Sequence, residues 1–350
     1  MTDTMKALAK TGPVQGLELI DAPIPEAGPE DVLIKVHRTA VCGTDIHIWN
    51  WDEWSQKNVP TPMITGHEFA GEIVAVGKEV DRPLKIGQRV SAEGHVIDLN
   101  SEAARAGHFH LDPKTRGIGV NRQGAFAEYV VAPAFNVIEL PDDVPYEIGS
   151  ILDPFGNAVH TAQQFDLLGE DVLVTGAGPI GMMAAAVARH AGARTVVLTD
   201  INDFRLELAQ KVAPGVRTVN TTKEDIHDVM KELGLKVGFD VALEMSGSPI
   251  AFKQCIDTLI MGGGMALLGI PGKPMETDWG AIILKALTIK GVYGREMFTT
   301  WRKMLGLLKA GLDLSPLITH RLGYADYREG FEAMKSGQSG KVVLDWDKAA

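Results

Sequence analysis

The stretch Asp171-Val-Leu-Val-Thr-Gly-Ala-Gly-Pro-Ile-Gly181 decides the fold. Its first five residues form an apolar run that is typical of a buried strand, and glycines follow at once. Gly176, Gly178 and Gly181 make an intact G-x-G-x-x-G pattern. The first glycine permits a tight turn, the second lets a pyrophosphate approach the backbone, and the third lets helix and strand pack closely. The stretch therefore predicts the strand, turn and helix that open a dinucleotide-binding α/β domain.

An acidic residue further along the chain supports this interpretation. Asp200 ends the next predicted strand, at roughly the 20-residue offset where an acid bonds the ribose hydroxyls. Its charge would repel a 2′-phosphate, so we expect NAD rather than NADP. Arg205 is a candidate to stack on the adenine, although exposed helical arginines often only meet solvent. The alternative, a tight junction in which Asp200 merely caps a helix, is disfavoured by the context.

The chain contains two kinds of sequence. Short apolar runs broken by Gly and Pro, such as 31–36 and 72–77, predict a first domain of short antiparallel strands. Strands and helices then alternate, which predicts a parallel, doubly wound sheet. We expect a β-rich domain over 1–155, a Rossmann domain over 156–300, and a return to the first domain over 301–350.

Composition and charge exclude several classes of protein. The net charge of -11 opposes nucleic-acid binding, which depends on neutralisation of phosphates by Lys and Arg. Cys42 and Cys255 are the only cysteines, so no disulfide framework is available and a reducing compartment is expected. No segment is long and apolar enough to span a bilayer. We therefore expect a cytoplasmic protein that binds neither membranes nor nucleic acid.

Two short strings of the first domain carry metal-binding chemistry. They are Cys42-Gly-Thr-Asp-Ile-His47 and Gly66-His67-Glu68. Thiolate, imidazole and carboxylate are zinc ligands, and three of them with an open position form a Lewis-acid site. Cys42 and His67 are the first choices, and Glu68 would bind directly or through water. Either residue alone is better explained as a buried free Cys or an ordinary loop His, but together they favour a metal.

These motifs and their order resemble the zinc-containing medium-chain dehydrogenases over nearly the whole chain. Within that family, the strings 50–57, 153–160 and 293–298 are similar to the branch that acts on L-threonine. The resemblance implies a GroES-like catalytic domain beside the Rossmann domain, oxidation of a secondary alcohol with NAD, and a homotetramer.

The resemblance also implies roles for individual residues. It implies that zinc is bound by Cys42, His67 and Glu68, that Thr44 and His47 form a proton relay, and that Asp153 lies beside the metal. Without it, Thr44 would be explained as a helix N-cap and His47 as a surface residue. The cofactor contacts that it implies are Ile180, Asp200, Arg205, Leu268, Gly269, Ile270, Val292 and Tyr293.

The implied reaction transfers a hydride from Cβ of the substrate to NAD and gives 2-amino-3-oxobutanoate, while Thr44 and His47 carry the hydroxyl proton outward. An amino-acid substrate also needs partners for its ammonium and carboxylate groups. Asp153, Asp52 and Glu53 are candidates for the ammonium, and Arg295 could bind the carboxylate with both arms of its guanidinium. Otherwise these four would be ordinary surface charges.

One segment departs from the family. Many relatives carry a structural zinc bound by four cysteines in a lobe that corresponds to residues 94–112, where this chain has no Cys. The ligand positions hold Asp98, Ser101, Ala104 and Asp112. The three histidines of the lobe, His95, His108 and His110, favour a solvated loop over a replacement site. We expect one catalytic zinc and no structural zinc.

Two other functions remain open at this point. A polyol or 2,3-butanediol dehydrogenase would share the same zinc and NAD sites. A catalytically silent NAD-binding protein would keep the fold alone, and the retained ligand and relay residues disfavour it.

Overall fold

The computed structural model describes residues 4–348, which form two compact units. The first unit contains the chain up to Asp153 and again from Ile318 onward, and the second contains Pro154–Leu317. The return to the first unit starts at Ile318 in this division, and the sequence-based expectation was 301. The helix over 299–309 buries Trp301 and Met304, and its Lys303 donates a hydrogen bond to Gln163 of the second unit.

The described chain contains 18 strands, numbered here in chain order. They are β1 (Thr4–Lys10), β2 (Glu18–Pro23), β3 (Asp31–Ala40), β4 (Met63–Ile64), β5 (Glu68–Val76), β6 (Arg89–Ala92), β7 (His95–Val96), β8 (Arg116–Gly117), β9 (Tyr129–Pro133), β10 (Val137–Glu139), β11 (Asp171–Thr175), β12 (Thr195–Asp200), β13 (Arg217–Asn220), β14 (Phe239–Glu244), β15 (Leu259–Leu267), β16 (Thr288–Gly291), β17 (Ile318–Gly323) and β18 (Lys341–Asp345).

The same residues form 12 α-helices, and none of them is long and apolar enough to cross a membrane. They are α1 (Gly43–Asn50), α2 (Glu53–Asn58), α3 (Glu102–Arg105), α4 (Tyr146–Ser150), α5 (Leu152–Ala162), α6 (Pro179–His190), α7 (Asp203–Val212), α8 (Ile226–Glu232), α9 (Pro249–Thr258), α10 (Trp279–Leu284), α11 (Thr299–Lys309) and α12 (Tyr327–Lys335).

The first unit is built on a seven-stranded sheet in the order β10-β6-β5-β3-β18-β17, with β9 also paired to β3. Its central strand β3 alternates between buried and partly exposed residues, and Val32, Ile34 and Val36 point into the core. β18 pairs with β3 in antiparallel fashion, so the last strand lies beside the strand that leads into Cys42.

The second unit is a six-stranded, fully parallel sheet in the order β13-β12-β11-β14-β15-β16. All five residues of β11 are buried, as expected for the central strand of a sheet covered on both faces. From β11, the strands β12 and β13 extend the sheet on one side, and β14, β15 and β16 extend it on the other. The strand order therefore reverses between β11 and β14. At such a switch point the carboxyl ends of the strands leave a crevice in which ligands bind.

Candidate active site and cofactor site

Three potential metal ligands come together in the first unit. The ligand atoms of Cys42, His67 and Glu68 all lie within 4.8 Å of one another. The antiparallel pairing of β3 with β5 places Ala40 opposite Glu68, so the end of one strand meets the start of the next. The sequence strings at 42–47 and 66–68, although separated along the chain, are therefore neighbours in space.

Local structure holds each ligand in place. Cys42 is the N-cap of α1, and its backbone N–H donates to Asp45 Oδ2 at 2.8 Å. Thr44 lies in the first turn of the same helix, with its Oγ1 3.8 Å from Cys42 Sγ. Gly66 has φ +85° and no room for a Cβ, which would meet the ring of Phe126 at 2.3 Å. That position requires glycine and turns the chain so that His67 faces Cys42.

The polar atoms of the cluster fit a bound metal. His67 Nδ1 and Glu68 Oε1 are buried and have no hydrogen-bond partner within residues 4–348. Buried polar atoms are nearly always satisfied, and such exceptions require an explanation. A thiolate, an imidazole and a carboxylate form a donor set that suits Zn²⁺.

Electrostatic interactions within the cluster are strong because the groups are buried. Burial would lower the pKa of His67, but the neighbouring Cys42, by its charge and a hydrogen bond, and Asp45 raise that pKa well above its usual value. Burial raises the pKa of Asp45. Asp153, 9% exposed, is close enough to contribute to the pKa of His67 and of Glu68. The structure therefore brings Asp153 to the cluster.

Lys341 also belongs to this cluster, and the sequence analysis missed it. Its Nζ donates to Glu68 Oε2 at 2.5 Å and to the carbonyl oxygen of Val41 at 2.8 Å, and both side chains are buried. Burial would lower the pKa of Lys341, but the charge of Glu68 raises it above its usual value. A lysine inside the apolar strand β18 was the only sequence signal.

His47 lies on the opposite side of α1 from the core and its side chain is 61% exposed. Its Nδ1 is 2.5 Å from Asp52 Oδ2, and the other Asp52 oxygen accepts the N–H of Ser55 at 3.0 Å as the N-cap of α2. Burial would raise the pKa of Asp52, but the bonds from Ser55 and His47 lower it. Asp52 thus orients His47 through one oxygen and caps α2 through the other.

The other two candidate substrate residues differ in exposure. Glu53 is exposed at the start of α2. Arg295 is 2% exposed, with its guanidinium carbon 5.8 Å from the centre of the Trp301 ring and its side chain against Gly156. Arg295 is thus buried, which does not fit the alternative of an ordinary surface charge.

The three glycines of the second unit have the geometry expected of a dinucleotide turn. Gly176 has φ +89°, and a Cβ on Gly181 would lie 1.9 Å from the carbonyl oxygen of Gly176. Gly178 is the N-cap of α6, and a Cβ there would meet nothing within 4 Å. The backbone at Gly178 is open to a ligand, at a helix N-terminus suited to phosphate.

Asp200 ends β12 at the same edge of the sheet. Its Oδ2 accepts the N–H of Ala177 at 2.7 Å, and its Oδ1 accepts the N–H groups of Ile201 and Asn202 at 2.7 and 2.9 Å. Asn202, not Asp200, caps α7 by accepting the N–H of Arg205. Arg205 Nε is buried and has no hydrogen-bond partner in the described chain.

The remaining cofactor candidates, apart from Ile180 in α6, follow β15 and β16. The N–H of Val292 donates to the carbonyl oxygen of Leu267 at 2.8 Å, which joins the two segments. Ile270 and Tyr293 are 89% and 59% exposed, so both side chains are accessible to a ligand. Ile180, Leu268 and Gly269 are partly exposed at the same carboxyl edge.

The lobe at 94–112 is held by hydrogen bonds and one ion pair. Asp112, 4% exposed, accepts the N–H of Asp98 at 2.7 Å, and Asp98 pairs with Lys114 at 3.1 Å. Ser101 caps α3 by accepting the N–H of Ala104 at 3.1 Å. His95 Nδ1 lies 2.9 Å from Glu93 Oε1.

Two family models match this chain. The Alcohol dehydrogenase GroES-like domain matches residues 28–142, and Zinc-binding dehydrogenase matches residues 179–310. The chain belongs to the zinc-containing medium-chain dehydrogenase family, and the family and fold class predicted from the sequence are confirmed.

Similar proteins narrow the class further. The chain is 67% identical over 342 residues to L-threonine 3-dehydrogenase of Ruegeria pomeroyi, covering 98% of this chain and 100% of that protein. It is 60% identical over 344 residues to L-threonine 3-dehydrogenase of Aeromonas hydrophila, with the same coverage. Among solved structures, it matches an Escherichia coli alcohol dehydrogenase complexed with NADH (TM-score 0.89, 25% identity, 98% and 99% coverage). It also matches 2R,3R-butanediol dehydrogenase of Bacillus subtilis (TM-score 0.88, 27% identity, 97% and 99% coverage).

Proposed function

We propose that this protein oxidises the β-hydroxyl of L-threonine with NAD and produces 2-amino-3-oxobutanoate. The observation that carries the proposal is the cluster of Cys42, His67 and Glu68 in a chain that matches threonine dehydrogenases over nearly its whole length. The butanediol dehydrogenase is only 27% identical, so the polyol and butanediol alternative is less well supported. In a catalytically silent NAD-binding protein, the buried atoms of His67 and Glu68 that lack a hydrogen-bond partner would have no explanation.

Cys42, His67 and Glu68 would hold the catalytic zinc. When bound, zinc supplies a Lewis acid that lowers the pKa of the substrate hydroxyl. Burial raises the pKa of Glu68, and the paired Lys341 opposes that rise, while Cys42 and Asp45 favour the charged form of His67 when no metal is bound. Asp153 adds a further negative charge at the cluster.

Thr44 and His47 would move the hydroxyl proton towards solvent. Thr44 Oγ1 lies beside Cys42 Sγ, one turn before the exposed His47 on the same helix. Asp52 fixes one ring nitrogen of His47, so the other nitrogen is left to exchange a proton with water. We therefore assign Asp52 to the relay as a positioning residue.

The substrate ammonium requires a negative partner, and Asp153 suits this role best because it is buried at the metal cluster. Glu53 is a second candidate on the exposed start of α2. Arg295 remains a candidate for the carboxylate only if substrate binding exposes its guanidinium. When bound, NAD accepts the hydride from Cβ.

The cofactor proposal favours NAD over NADP. Similar solved structures include one with NADH and one, from Sinorhizobium meliloti, with NADP, so the preference must come from this chain's own residues. Asp200 presents a carboxylate at the position where a 2′-phosphate would have to lie. The proposed contacts are Gly176, Gly178, Ile180, Gly181, Asp200, Arg205, Leu268, Gly269, Ile270, Val292 and Tyr293.

Asp200→Ala is expected to weaken NAD binding about tenfold or more and to relax the preference against NADP. The substitution removes both the ribose acceptor and the charge, and it releases the N–H of Ala177. Steady-state kinetics with NAD and NADP measure the change. Asp203→Ala is the matched control, because this exposed acid begins α7 and pairs with Lys223. Unchanged cofactor selectivity in Asp200→Ala would refute the assignment.

We further propose that each chain binds one zinc and that the 94–112 lobe folds without metal. Purified protein with added zinc should contain about one zinc per chain by elemental analysis, since a structural site normally needs four ligands. Chelation should abolish activity without unfolding the protein, because hydrogen bonds of Asp112 and Ser101 hold the lobe. Two tightly held zinc ions, with unfolding when the second is stripped, would overturn this proposal.

The protein is also proposed to be a cytoplasmic homotetramer. β16 is an edge strand of the second unit's sheet, and the nearby α10 exposes Trp279, Ile283 and Leu284 at 70% or more. Exposed strand edges and apolar patches of this kind favour contact with another chain. Light scattering after size exclusion measures the number of subunits.

A substrate panel tests the proposed function. Turnover of L-threonine, 2,3-butanediol and sorbitol should be compared with NAD at saturating zinc. L-threonine is expected to give the highest kcat/KM. An equal or better value with sorbitol or butanediol would favour the alternative enzyme, and the absence of NAD reduction with every alcohol would favour a silent protein.

A further inference from the structure

A buried carboxylate at the carboxyl edge of the second unit's sheet has no part in the reaction described so far. Glu244 is the last residue of β14 and is 2% exposed. Its Oε1 accepts N–H groups from Ser246 at 2.9 Å and Gly247 at 3.0 Å, and hydroxyl groups from Ser246 and from Thr175 at 3.3 Å. Within residues 4–348, no Lys, Arg or His side chain pairs with it.

Such a carboxylate is stable only because neutral donors surround it. Burying an unpaired charge is costly, and charge-assisted N–H and O–H bonds offset that cost. Three of the donors come from the turn at 245–247, so the turn must keep its shape for Glu244 to remain satisfied. Ser246 Oγ in turn accepts the N–H of Ser248, the N-cap of α9.

Glu244 also connects the turn to two other loops. Thr175 ends β11 and directly precedes the first glycine of the dinucleotide turn. The backbone carbonyl of Glu244 accepts the N–H groups of Leu268 and Gly269, at 3.0 and 3.1 Å, after β15. A single residue therefore links the loops that follow three neighbouring strands.

These loops are packed without space for a side chain. A Cβ on Gly176 would lie 2.8 Å from the Cβ of Ser246, and a Cβ on Gly269 would lie 2.5 Å from Glu244 Oε2 and 2.1 Å from the nitrogen of Gly247. A shift of the 245–247 turn would therefore displace both neighbouring loops.

The strand order indicates which half of the cofactor these loops meet. Asp200, the proposed ribose acceptor of the adenosine half, ends β12 on one side of β11. Glu244 ends β14 on the other side, across the switch point where a dinucleotide binds. The Glu244 loops therefore border the nicotinamide half.

We propose that Glu244 is a positioning residue of the cofactor site, whose carboxylate fixes the loops after β11, β14 and β15 in the arrangement that receives the nicotinamide half of NAD. This inference rests on the NAD-binding part of the proposed function.

Glu244→Gln tests the proposal directly. It keeps the size of the side chain but places an NH₂ group or a weaker acceptor against donors that need a carboxylate. The Kd for NADH, measured by calorimetry without substrate, should rise about tenfold to a hundredfold. The Kd for AMP, which represents the adenosine half alone, should stay unchanged. A general structural defect would weaken the binding of both ligands.

A matched control and a milder variant complete the test. Asp171→Asn changes another carboxylate at 2% exposure, but at the opposite end of β11, where it pairs with Arg194. It should lower thermal stability and leave both Kd values unchanged. If Glu244→Gln does not fold, Thr175→Val serves instead, because it removes one hydroxyl donor at constant shape. It should raise the Kd for NADH a few fold and leave the Kd for AMP unchanged.

The possible results separate this inference from the proposed function. Unchanged NADH binding, or equal weakening of NADH and AMP, in the folded Glu244 variant or, failing that, in Thr175→Val, would overturn the role of Glu244. If the unaltered protein binds NADH but does not oxidise L-threonine, the substrate proposal fails and the inference stands. If the unaltered protein binds no NADH, both fail.

Discussion

Cys42→Ala is expected to lower kcat for L-threonine by about a thousandfold or more. The substitution removes one of three clustered ligands, and loss of a Lewis acid costs several kcal/mol of transition-state stabilisation. NAD binding should be largely retained, because the glycine turn and Asp200 belong to the second unit and Cys42 to the first. Steady-state kinetics, zinc content and the Kd for NADH together measure the effect.

Cys255→Ala provides the matched control, since it removes the other cysteine of the chain. Burial raises the pKa of Cys255 to about 12, so its thiol stays protonated and is neither a nucleophile nor a metal ligand near neutral pH. This variant should keep its zinc and its turnover. A near-normal rate for Cys42→Ala, with zinc lost, would mean that the metal at this site is not essential.

The sequence was most informative where local pattern and chemistry coincide. The run 171–175 and the three glycines that follow it predicted a strand, turn and helix, and the structure has β11 over those five residues and α6 from Pro179. Cys42 and His67 could be proposed as ligands because thiol and imidazole so near a nucleotide fold are uncommon without a metal. These features are visible in short strings of the sequence.

Features that depend on distant contacts could not be predicted in this way. Lys341 lies 273 residues from Glu68 along the chain, and only the pairing of β18 with β3 brings them together. In the sequence Asp52 resembles an ordinary surface acid, and only the structure shows its bonds to His47 and Ser55. The amphipathic pattern of the helix at 299–309 likewise does not reveal which surface its apolar side meets.

Lys341→Met is expected to lower the free energy of unfolding by about 3–5 kcal/mol in zinc-free protein. Removing one partner of a buried ion pair leaves the other as an uncompensated charge. Glu68 would keep a buried carboxylate without its cation, and the carbonyl of Val41 would lose a donor. Methionine matches the lysine stem in length, so the loss reports the charge rather than a cavity. Urea titration after chelation measures it without stabilisation by bound metal.

The double variant Glu68→Gln with Lys341→Met separates the ion pair from general damage to β18. Because the double variant leaves no isolated charge, it should be more stable than Lys341→Met alone, even though it carries one more substitution. A double variant that is less stable by the sum of the two single losses would contradict this expectation. In that case Lys341 would act mainly through the carbonyl of Val41, where β18 lies against the end of β3.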